Sequence, residues 1–600
     1  MSTLASQATG DSITDSRIEY DAWNPGISSQ LPREVLVFST ILRPENVFQT
    51  FSEIEELSHF TGLLMEEIAT LRPERLVVHE LLIRLSANYQ ISDGEQYEDL
   101  GVNFRRMAQT LLDKYLQPKM QDAVDCYDAL QQRVYEKVDQ ELEATLFKKP
   151  VAVIEEKGWW KRLTRRREKK SSIKAPEILE AETLEQWRQR ASQATDDNAL
   201  ERAIYHRLHH VCGAILCKHG RVRGEKELLA RLVTQQVCNS HGSNLIGSLI
   251  SPFIDAGALA EGYSRLPTQP QPVVMNIKGA AASGKSTLRP LQQQLTHSLG
   301  LSWGDFALIS PDIWRKFLLD YESLDEFYKY AATCTGHELQ IVDQKLDAYI
   351  SEKAKRHAVP HLLIDRFRFD SFAKESREAG SNLLTRFGAK IYMFYMITPP
   401  HATVERAWSR GIKVGRYKAV DDLLYHNIEA FTGMPELFFT WALDQVKDVH
   451  YEFLDNSVKL GERPRTVAFG MNGSLNILDI NCLMDIDRYR KININATSAD
   501  TVYPPASAMA PEENTDFIRD CIKRLSEINL VDAGSGEIIA QIEQSQLVGL
   551  NPKALEGAIP DRDTRTALLQ LFPSSQNAQT ISAPATVDVA LQHTLGEWGR

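Results

Sequence analysis

The chain has 600 residues, of which 43% are hydrophobic and 25% charged, and its formal net charge is −12. That length is more than one hydrophobic core can serve, so roughly two to four domains are expected. An acidic balance argues against a general nucleic-acid binder, which takes most of its affinity from basic residues.

Membrane and export signals are also missing from the sequence. No apolar run approaches the roughly 18 residues of a membrane span, which predicts no transmembrane segment. The N-terminus lacks the basic-then-apolar order of a secretory signal. Seven cysteines without C-x-x-C spacing indicate reduced thiols. We therefore expect a cytoplasmic protein, with delivery into another cell as an alternative.

In chain order, polar residues come first and helical patterns follow. Residues 1–28 are rich in Ser, Thr, Asp and Gly and are predicted to be disordered. Apolar residues at helical spacing predict one helical domain over 29–150 and a second over 181–268. Both would precede the part of the chain that carries the chemistry.

A basic linker, residues 151–180, is predicted between the two helical domains. Its centre, residues 158–170, is strongly basic and contains Trp159 and Trp160. One interpretation is a solvated segment between domains. The alternative is a patch that contacts an anionic membrane or a partner. The sequence does not choose between them.

From residue 269 the pattern changes to short apolar strands that alternate with helices. Such alternation predicts a parallel sheet covered by helices, the α/β core of a phosphate-loop enzyme, over 269–462. Beyond it we expect a β-rich appendage (463–500), a small helical region (513–572) and a disordered tail (573–600). The predicted strands of the core are Val273–Ile277, Phe306–Ile309, His361–Ile364, Lys390–Ile397 and His450–Leu454.

The most informative motif follows the first of these strands. Gly279, Gly284, Lys285 and Ser286 match G-x-x-x-x-G-K-[ST], and a helix-like apolar run follows. The glycines let backbone N–H groups turn toward phosphate, the lysine reaches the β and γ phosphates, and the serine hydroxyl serves Mg²⁺. The predicted nucleotide-binding residues are Gly279, Ala280, Ala281, Ala282, Ser283, Gly284, Lys285, Ser286 and Thr287.

Two acidic residues follow the next strands, at the sheet edge where ligands bind in α/β folds. Asp312 is placed to accept a proton from a substrate hydroxyl, or equally to cap a helix N-terminus. Asp365 ends the third strand and, with Ser286, forms the predicted metal site for Mg²⁺. Arg366 and Arg368 beside it are either phosphate contacts or surface groups.

A basic run, Thr403–Arg416 with Lys418, lies between two helical patterns after the fourth strand. By itself it is typical of a charged surface helix with an exposed loop. Behind a phosphate loop and two strand-end acids, it favours a mobile lid. The arginines of such a lid close over the phosphoryl group during its transfer.

Together these residues resemble the zeta-toxin family of P-loop kinases over about 270–462. The run Ala282–Arg289 is similar to that family's loop, Asp312 stands at the position of its catalytic Asp, and Asp365 stands where members usually have Glu. Two arginines clamp the γ-phosphate in that family. Their counterparts complete the catalytic set that the resemblance implies: Lys285, Asp312, Asp365, Arg406 and Arg416.

This resemblance implies ATP and Mg²⁺ as cofactors and phosphorylation of a small-molecule hydroxyl, with UDP-N-acetylglucosamine as the best-known substrate, by a toxin or effector. The run Asp365–Phe369 departs from the family because it is bulky and charged where members are small and polar. A changed pocket wall changes the substrate that fits, so NAD or another nucleotide-like substrate is an alternative. Glu338 and Asp347 are loosely placed candidates for substrate contacts.

Two further hypotheses concern the long N-terminal region. In the first, the chain is a nucleotide-dependent switch or scaffold that phosphorylates no metabolite. In the second, the N-terminal helices restrain the kinase and replace the separate inhibitory partner that usually guards such toxins.

Overall fold

The computed structural model describes residues 20–94, 98–148, 176–194, 198–366, 383–459, 461–572, 579–580, 586–587 and 593–598. The expectations for residues 1–19, for the basic run 158–170 and for most of the tail beyond 572 lie outside these ranges. None of the helices within the ranges has the length and apolarity that a membrane crossing requires.

Helices fill the described part of the chain before the first strand. Helix α4 is buried on almost every side, as expected of an apolar helix that runs through the centre of a bundle. The helices Ser243–Ala260 and Gly336–Lys355 pack against it. The bounds are α1 Arg33–Leu36, α2 Phe51–Thr61, α3 Met65–Ile68, α4 Pro73–Asn88, α5 Asp99–Leu111, α6 Met120–Ala144, α7 Pro176–Gln193, α8 Ala199–His219, α9 Lys226–Val237 and α10 Ser243–Ala260.

The described strands form one eleven-stranded sheet in the order β11-β10-β9-β8-β7-β6-β5-β4-β1-β3-β2. Strands β2, β3, β1, β4 and β5 are mutually parallel, which confirms the predicted parallel α/β core. The bounds are β1 Val273–Lys278, β2 Phe306–Ile309, β3 His361–Asp365, β4 Lys390–Ile397, β5 Asp448–Asp455, β6 Arg465–Met471, β7 Ser474–Ile477, β8 Glu527–Val531, β9 Ile538–Glu543, β10 Gln546–Leu550 and β11 Gln579–Thr580.

Helices connect the parallel strands and continue to the end of the described chain. All six residues of β1 are buried, so the strand that leads into the glycine-rich loop lies at the centre of the fold. The bounds are α11 Arg289–Ser298, α12 Arg315–Leu318, α13 Ala331–Cys334, α14 Gly336–Lys355, α15 Pro400–Val414, α16 Val420–Ala442, α17 Ile480–Tyr489, α18 Asp516–Arg524, α19 Pro552–Ala558 and α20 Arg562–Leu571.

The prediction of a helical region over 513–572 is wrong for its middle part, which forms β8, β9 and β10. These strands continue the main sheet, because β8 pairs with β7 in parallel and β9 pairs with β8. The turn between β9 and β10 uses Gln544 and Ser545 at φ 47° and 64°. Such turns usually contain Asn or Gly, so the turn signal was missing. The region 463–500 likewise contains β6, β7 and the helix α17.

Residues 593–598 pack back onto the middle of this sheet, so the prediction of a disordered tail over 573–600 is wrong for them. The backbone N–H groups of Leu595 and Gly596 donate to the buried carboxylate of Glu452, at 2.6 and 2.9 Å. Burial raises the pKa of Glu452 to about 7, although these N–H groups act against the rise. The ring of Trp598 lies 4.6 Å from that of Phe469 on β6.

A buried polar network joins the helical block to α14. Glu338, which is fully buried, accepts from Arg75 at 2.5 and 2.6 Å and from His79 Nε2 at 2.7 Å. On the other side of the ring, Lys345 Nζ lies 3.2 Å from His79 Nδ1 and donates to Ser243 Oγ on α10 at 2.9 Å. A neutral imidazole that donates at Nε2 and accepts at Nδ1 satisfies both neighbours.

We expect this network to make the fold sensitive to acid. Burial and the positive charge of Lys345 lower the pKa of His79 to about 4, whereas an unfolded histidine titrates near 6.5. Between these values the unfolded chain binds more protons, so stability falls as pH falls. The free energy of unfolding of the wild type should fall by about 3 kcal/mol between pH 6.5 and pH 4 through His79, and His79→Gln should abolish this fall. Urea unfolding of wild type and variant at several pH values measures the free energy of unfolding. An equal pH dependence in the two proteins would contradict the prediction.

Candidate functional site

The glycine-rich loop runs from Gly279 to Ser286, between β1 and the helix α11. Both motif glycines are required by close contacts. A Cβ at Gly284, where φ is +95°, would lie 2.3 Å from Asn456 Nδ2, and a Cβ at Gly279 would lie 2.7 Å from Met396 Cβ. Even alanine would therefore force the loop or its neighbours to move. The two glycines let β4 and the loop after β5 approach the backbone.

Lys285 lies folded across this loop. Its Nζ donates to the carbonyl oxygens of Gly279 at 3.0 Å and Ala280 at 2.8 Å. Burial lowers the pKa of Lys285 to about 8, and the negative charges of Asp365 and Asp312 oppose the shift. The ammonium therefore stays charged near neutral pH, with carbonyl partners that a phosphate can replace.

Ser286 and Asp365 meet beside the lysine. The Ser286 hydroxyl donates to Asp365 Oδ2 at 2.7 Å, and Arg289 Nη2 lies 3.8 Å from the same oxygen. Strand pairing explains this meeting, because Asp365 is in register with Ile277 at the end of β1. A hydroxyl and a carboxylate are the oxygen donors that Mg²⁺ prefers, so the two residues fit the predicted metal.

Asp312 lies in a single helical turn after β2. Its Oδ1 accepts from Arg315 Nε at 3.0 Å, and its Oδ2 pairs with Arg416 Nη2. Burial acts to raise the pKa of Asp312, but the charges of Arg416 and Arg315 outweigh it and hold this pKa well below its usual value. The side chain is 39% exposed, so a substrate can reach it. The N-cap position belongs to Ser310, so the alternative role of Asp312 as a helix cap is wrong.

The basic run forms α15 and the segment that leads into α16. Arg406 on α15 donates to the carbonyl oxygens of Asn456 at 2.7 Å, Val458 at 3.0 Å and Ser283 at 3.4 Å. Arg416 follows Gly415 and pairs with Asp312. The structure thus brings both predicted arginines to the loop, where in this conformation they hold carbonyl oxygens and a carboxylate.

Another basic residue of the run, Lys418, was not assigned a separate role from the sequence. Its Nζ contacts His426 Nδ1 and lies 3.2 Å from Asp422 Oδ2. Burial and the charges of Lys418 and Lys285 lower the pKa of His426 to about 2, which keeps the ring neutral. The spacing of four residues, which places such side chains on one helix face, is the signal that could have revealed this cluster.

The residues that follow β3 have another role than the one considered from the sequence. Arg366 is buried and pairs with Asp343 at 2.7 Å and Asp347 at 2.8 Å, both on α14. These charges raise the pKa of Arg366 further, against the effect of burial. Arg366 is therefore neither a phosphate contact nor a surface group, and Arg368 lies outside the described residues. Glu338 and Asp347 are held by arginines rather than directed toward a substrate.

Residues 20–28, for which the sequence predicts disorder, and Ser29 contact Lys329 and the helices α15 and α16, so that prediction is wrong for residues 20–28. Lys329 Nζ sits 3.6 Å from the ring centroid of Tyr20 and donates to the carbonyl oxygen of Pro25 at 2.8 Å. The Ser29 hydroxyl donates to Asp421 on α16. Trp23 packs against an apolar cluster of α15 and α16. Ala281 and Ala282 of the glycine-rich loop pack against the same cluster.

Comparisons with known proteins do not show the family of this chain. The chain matches no protein-family profile and no curated protein. A solved structure from the PezAT chromosomal toxin–antitoxin system of Streptococcus pneumoniae is similar over 32% of this chain and 71% of that one. Its identity is 14% and its TM-score 0.23. Values this low assign neither a family nor an activity.

Proposed function

We propose that the chain is an ATP-dependent phosphotransferase that acts on a hydroxyl of a small molecule in the cytoplasm. One observation carries the proposal. A lysine, a hydroxyl–carboxylate pair and an arginine-paired carboxylate all meet around one glycine-rich loop at the carboxyl edge of a parallel sheet. Phosphoryl transfer needs mainly positioning and charge stabilisation. These side chains are of the types that supply both.

In this proposal each of these residues has a defined role. Lys285 exchanges its bonds to Gly279 and Ala280 for bonds to phosphate oxygens. Ser286 and Asp365 would hold Mg²⁺, which when bound neutralises charge on the phosphates. Arg416 leaves Asp312 and turns to the transferring group. Freed of that pair, Asp312 becomes more basic and accepts the proton of the substrate hydroxyl.

The acceptor in this proposal is a nucleotide sugar such as UDP-N-acetylglucosamine, and the protein acts as a toxin or effector. Support comes from the sequence resemblance and from the cations near the loop, which suit an acceptor that itself carries phosphate. NAD is the alternative acceptor, since it shares the diphosphate.

The direct test is mass spectrometry of a reaction of the full chain with Mg-ATP and a metabolite panel that includes UDP-N-acetylglucosamine and NAD. A product heavier by one phosphoryl group, absent with Lys285→Ala, would support the proposal and name the acceptor. If wild type binds Mg-ATP but no metabolite gains phosphate, the kinase proposal fails in favour of the alternative below.

That alternative is a nucleotide-dependent switch without metabolite kinase activity. The polar network around Glu338 favours it, because α14 connects the site strands and also contacts the helical block. A switch would alter hydrogen exchange in α4 and α14 when Mg-ATP is added and would form no phosphorylated metabolite. A kinase alone would change exchange mainly around the loop and the lid.

We further propose that residues 20–29 restrain the lid, as an inhibitory partner would. Trp23→Ala should raise the initial rate of phosphoryl transfer, or of nucleotide binding, by about two- to tenfold, because it removes apolar contact with α15 and α16. The control is Trp598→Ala, which removes a partly buried Trp that packs on Phe469 of β6. Equal rates for wild type and Trp23→Ala would contradict this restraint.

A further inference from the structure

The carbonyl oxygen of Ser283, within the glycine-rich loop, is held by three side chains. Asn456 Nδ2 donates to it at 2.7 Å, Thr398 Oγ1 at 3.0 Å and Arg406 Nη1 at 3.4 Å. A carbonyl oxygen has two lone pairs. This one therefore has its full accepting capacity in use, with donors that follow β4 and β5 and a third on α15.

The orientation of this carbonyl also fixes its neighbour. The peptide bond between Ser283 and Gly284 is trans, so its C=O and N–H groups point in opposite directions. When the carbonyl is drawn toward Asn456, the N–H of Gly284 points away from β5. Nucleotide-binding loops of this spacing use such N–H groups to hold phosphate.

Among the three donors, Asn456 Nδ2 lies closest to the carbonyl oxygen of Ser283, and further hydrogen bonds hold its backbone. It is 6% exposed, its backbone N–H donates to Ile397 at 2.8 Å, and its carbonyl accepts from Arg406 at 2.7 Å. Its amide also contacts the Gly284 backbone so closely that no Cβ fits between them. The side chain thus sets both the direction and the position of this peptide.

We propose that Asn456 is a positioning residue for the nucleotide. Its amide rotates the Ser283–Gly284 peptide so that the Gly284 N–H faces the phosphates. It also links the loop to Arg406, so one side chain aligns the phosphate cradle with the base of the lid. This inference rests on the proposed nucleotide-binding function and adds a residue outside the loop motif to it.

The test uses the full chain and a fluorescent ATP analogue with Mg²⁺. Asn456→Ala should weaken binding at least about tenfold, which corresponds to the loss of one well-placed hydrogen bond. Asn456→Asp should weaken it more, because a carboxylate would face the Ser283 carbonyl. The matched control is Asn514→Ala. Asn514 is buried like Asn456, and its amide donates to the backbone carbonyls of Ala508 and Ala510 in another part of the fold.

A second measurement separates positioning from general loss of structure. Thr398→Val removes another donor to the same carbonyl. If the donors jointly set the peptide, the loss of affinity in the Asn456→Ala, Thr398→Val double variant should exceed the product of the single losses. The control double variant, Asn514→Ala with Thr398→Val, should lose no more affinity than the product of its two single losses. Without nucleotide, hydrogen exchange of the loop should also be faster in Asn456→Ala.

The outcomes separate this inference from the proposed function. If the wild type binds the probe in a Lys285-dependent way and the Asn456 variants bind it equally well, the inference is overturned and the proposed function remains supported. Wild type that shows no Lys285-dependent binding would overturn both. Weakened, coupled binding with faster loop exchange would support both.

Discussion

Replacing Asp312 by Asn is expected to lower the rate of phosphoryl transfer about 10²- to 10⁴-fold, the usual contribution of a general base, while Mg-ATP still binds. The amide keeps the shape of the carboxylate and can still accept from Arg315, so the fold should persist. It can neither take a proton nor hold Arg416 by charge. The initial rate at saturating Mg-ATP measures the effect.

Two further variants serve as comparisons for Asp312→Asn. Asp320→Asn changes an exposed carboxylate in the turn after α12 and should leave the rate within about twofold, as expected for a surface change. Arg416→Ala should slow transfer as well, because the transferring group loses a cation. A rate for Asp312→Asn equal to that of wild type would remove Asp312 from the mechanism.

The second large effect concerns stability. Glu338→Gln should destabilise the fold by about 3–5 kcal/mol, the cost of removing one partner of a buried ion pair. The charge of Arg75, itself only 11% exposed, would then lack its counter-ion. Arg75 and His79 would then lose the carboxylate that both contact. Urea unfolding of wild type and variant gives the difference.

The matched control lies on the same helix. Glu352 pairs with Lys355 at 2.7 Å, but both side chains are more than half exposed. Glu352→Gln should therefore change stability by less than about 1 kcal/mol. Equal effects for the two variants would show that the network around Glu338 does not hold the helical block to the sheet.

Local patterns in the sequence predict the part of the fold that surrounds the loop. The strands β1 to β5 are apolar runs buried on both faces, and their bounds follow within a few residues. The loop motif is contiguous, so its glycines and Lys285 are also recognisable. Asp312 and Asp365 follow from the rule that ligands gather at the carboxyl ends of parallel strands.

Other features depend on pairs far apart in the chain. Arg75 and Glu338 are 263 residues apart, and no local pattern indicates that they meet. From its position beside Asp365 in the sequence, Arg366 could be a phosphate ligand, yet it forms ion pairs with two carboxylates of α14. The strands after residue 526 were missed because the turn at Gln544 and Ser545 has no glycine. Asn456 belongs to a polar turn whose role emerges only when β5 lies beside the loop.

The packing of residues 593–598 onto β5 has a consequence for biosynthesis. Glu452 and the Leu595 N–H that satisfies it are separated by 143 residues. A ribosome therefore releases the glycine-rich loop and β5 well before the N–H groups of Leu595 and Gly596 exist, whereas Thr466, which also donates to this carboxylate, follows after 14 residues. Until then the strand that leads to Asn456 contains a buried acid without its full set of donors. In a nascent chain β5 would therefore lack two of the hydrogen bonds to its buried carboxylate until synthesis has passed residue 596, so the packing of this strand is completed late in biosynthesis.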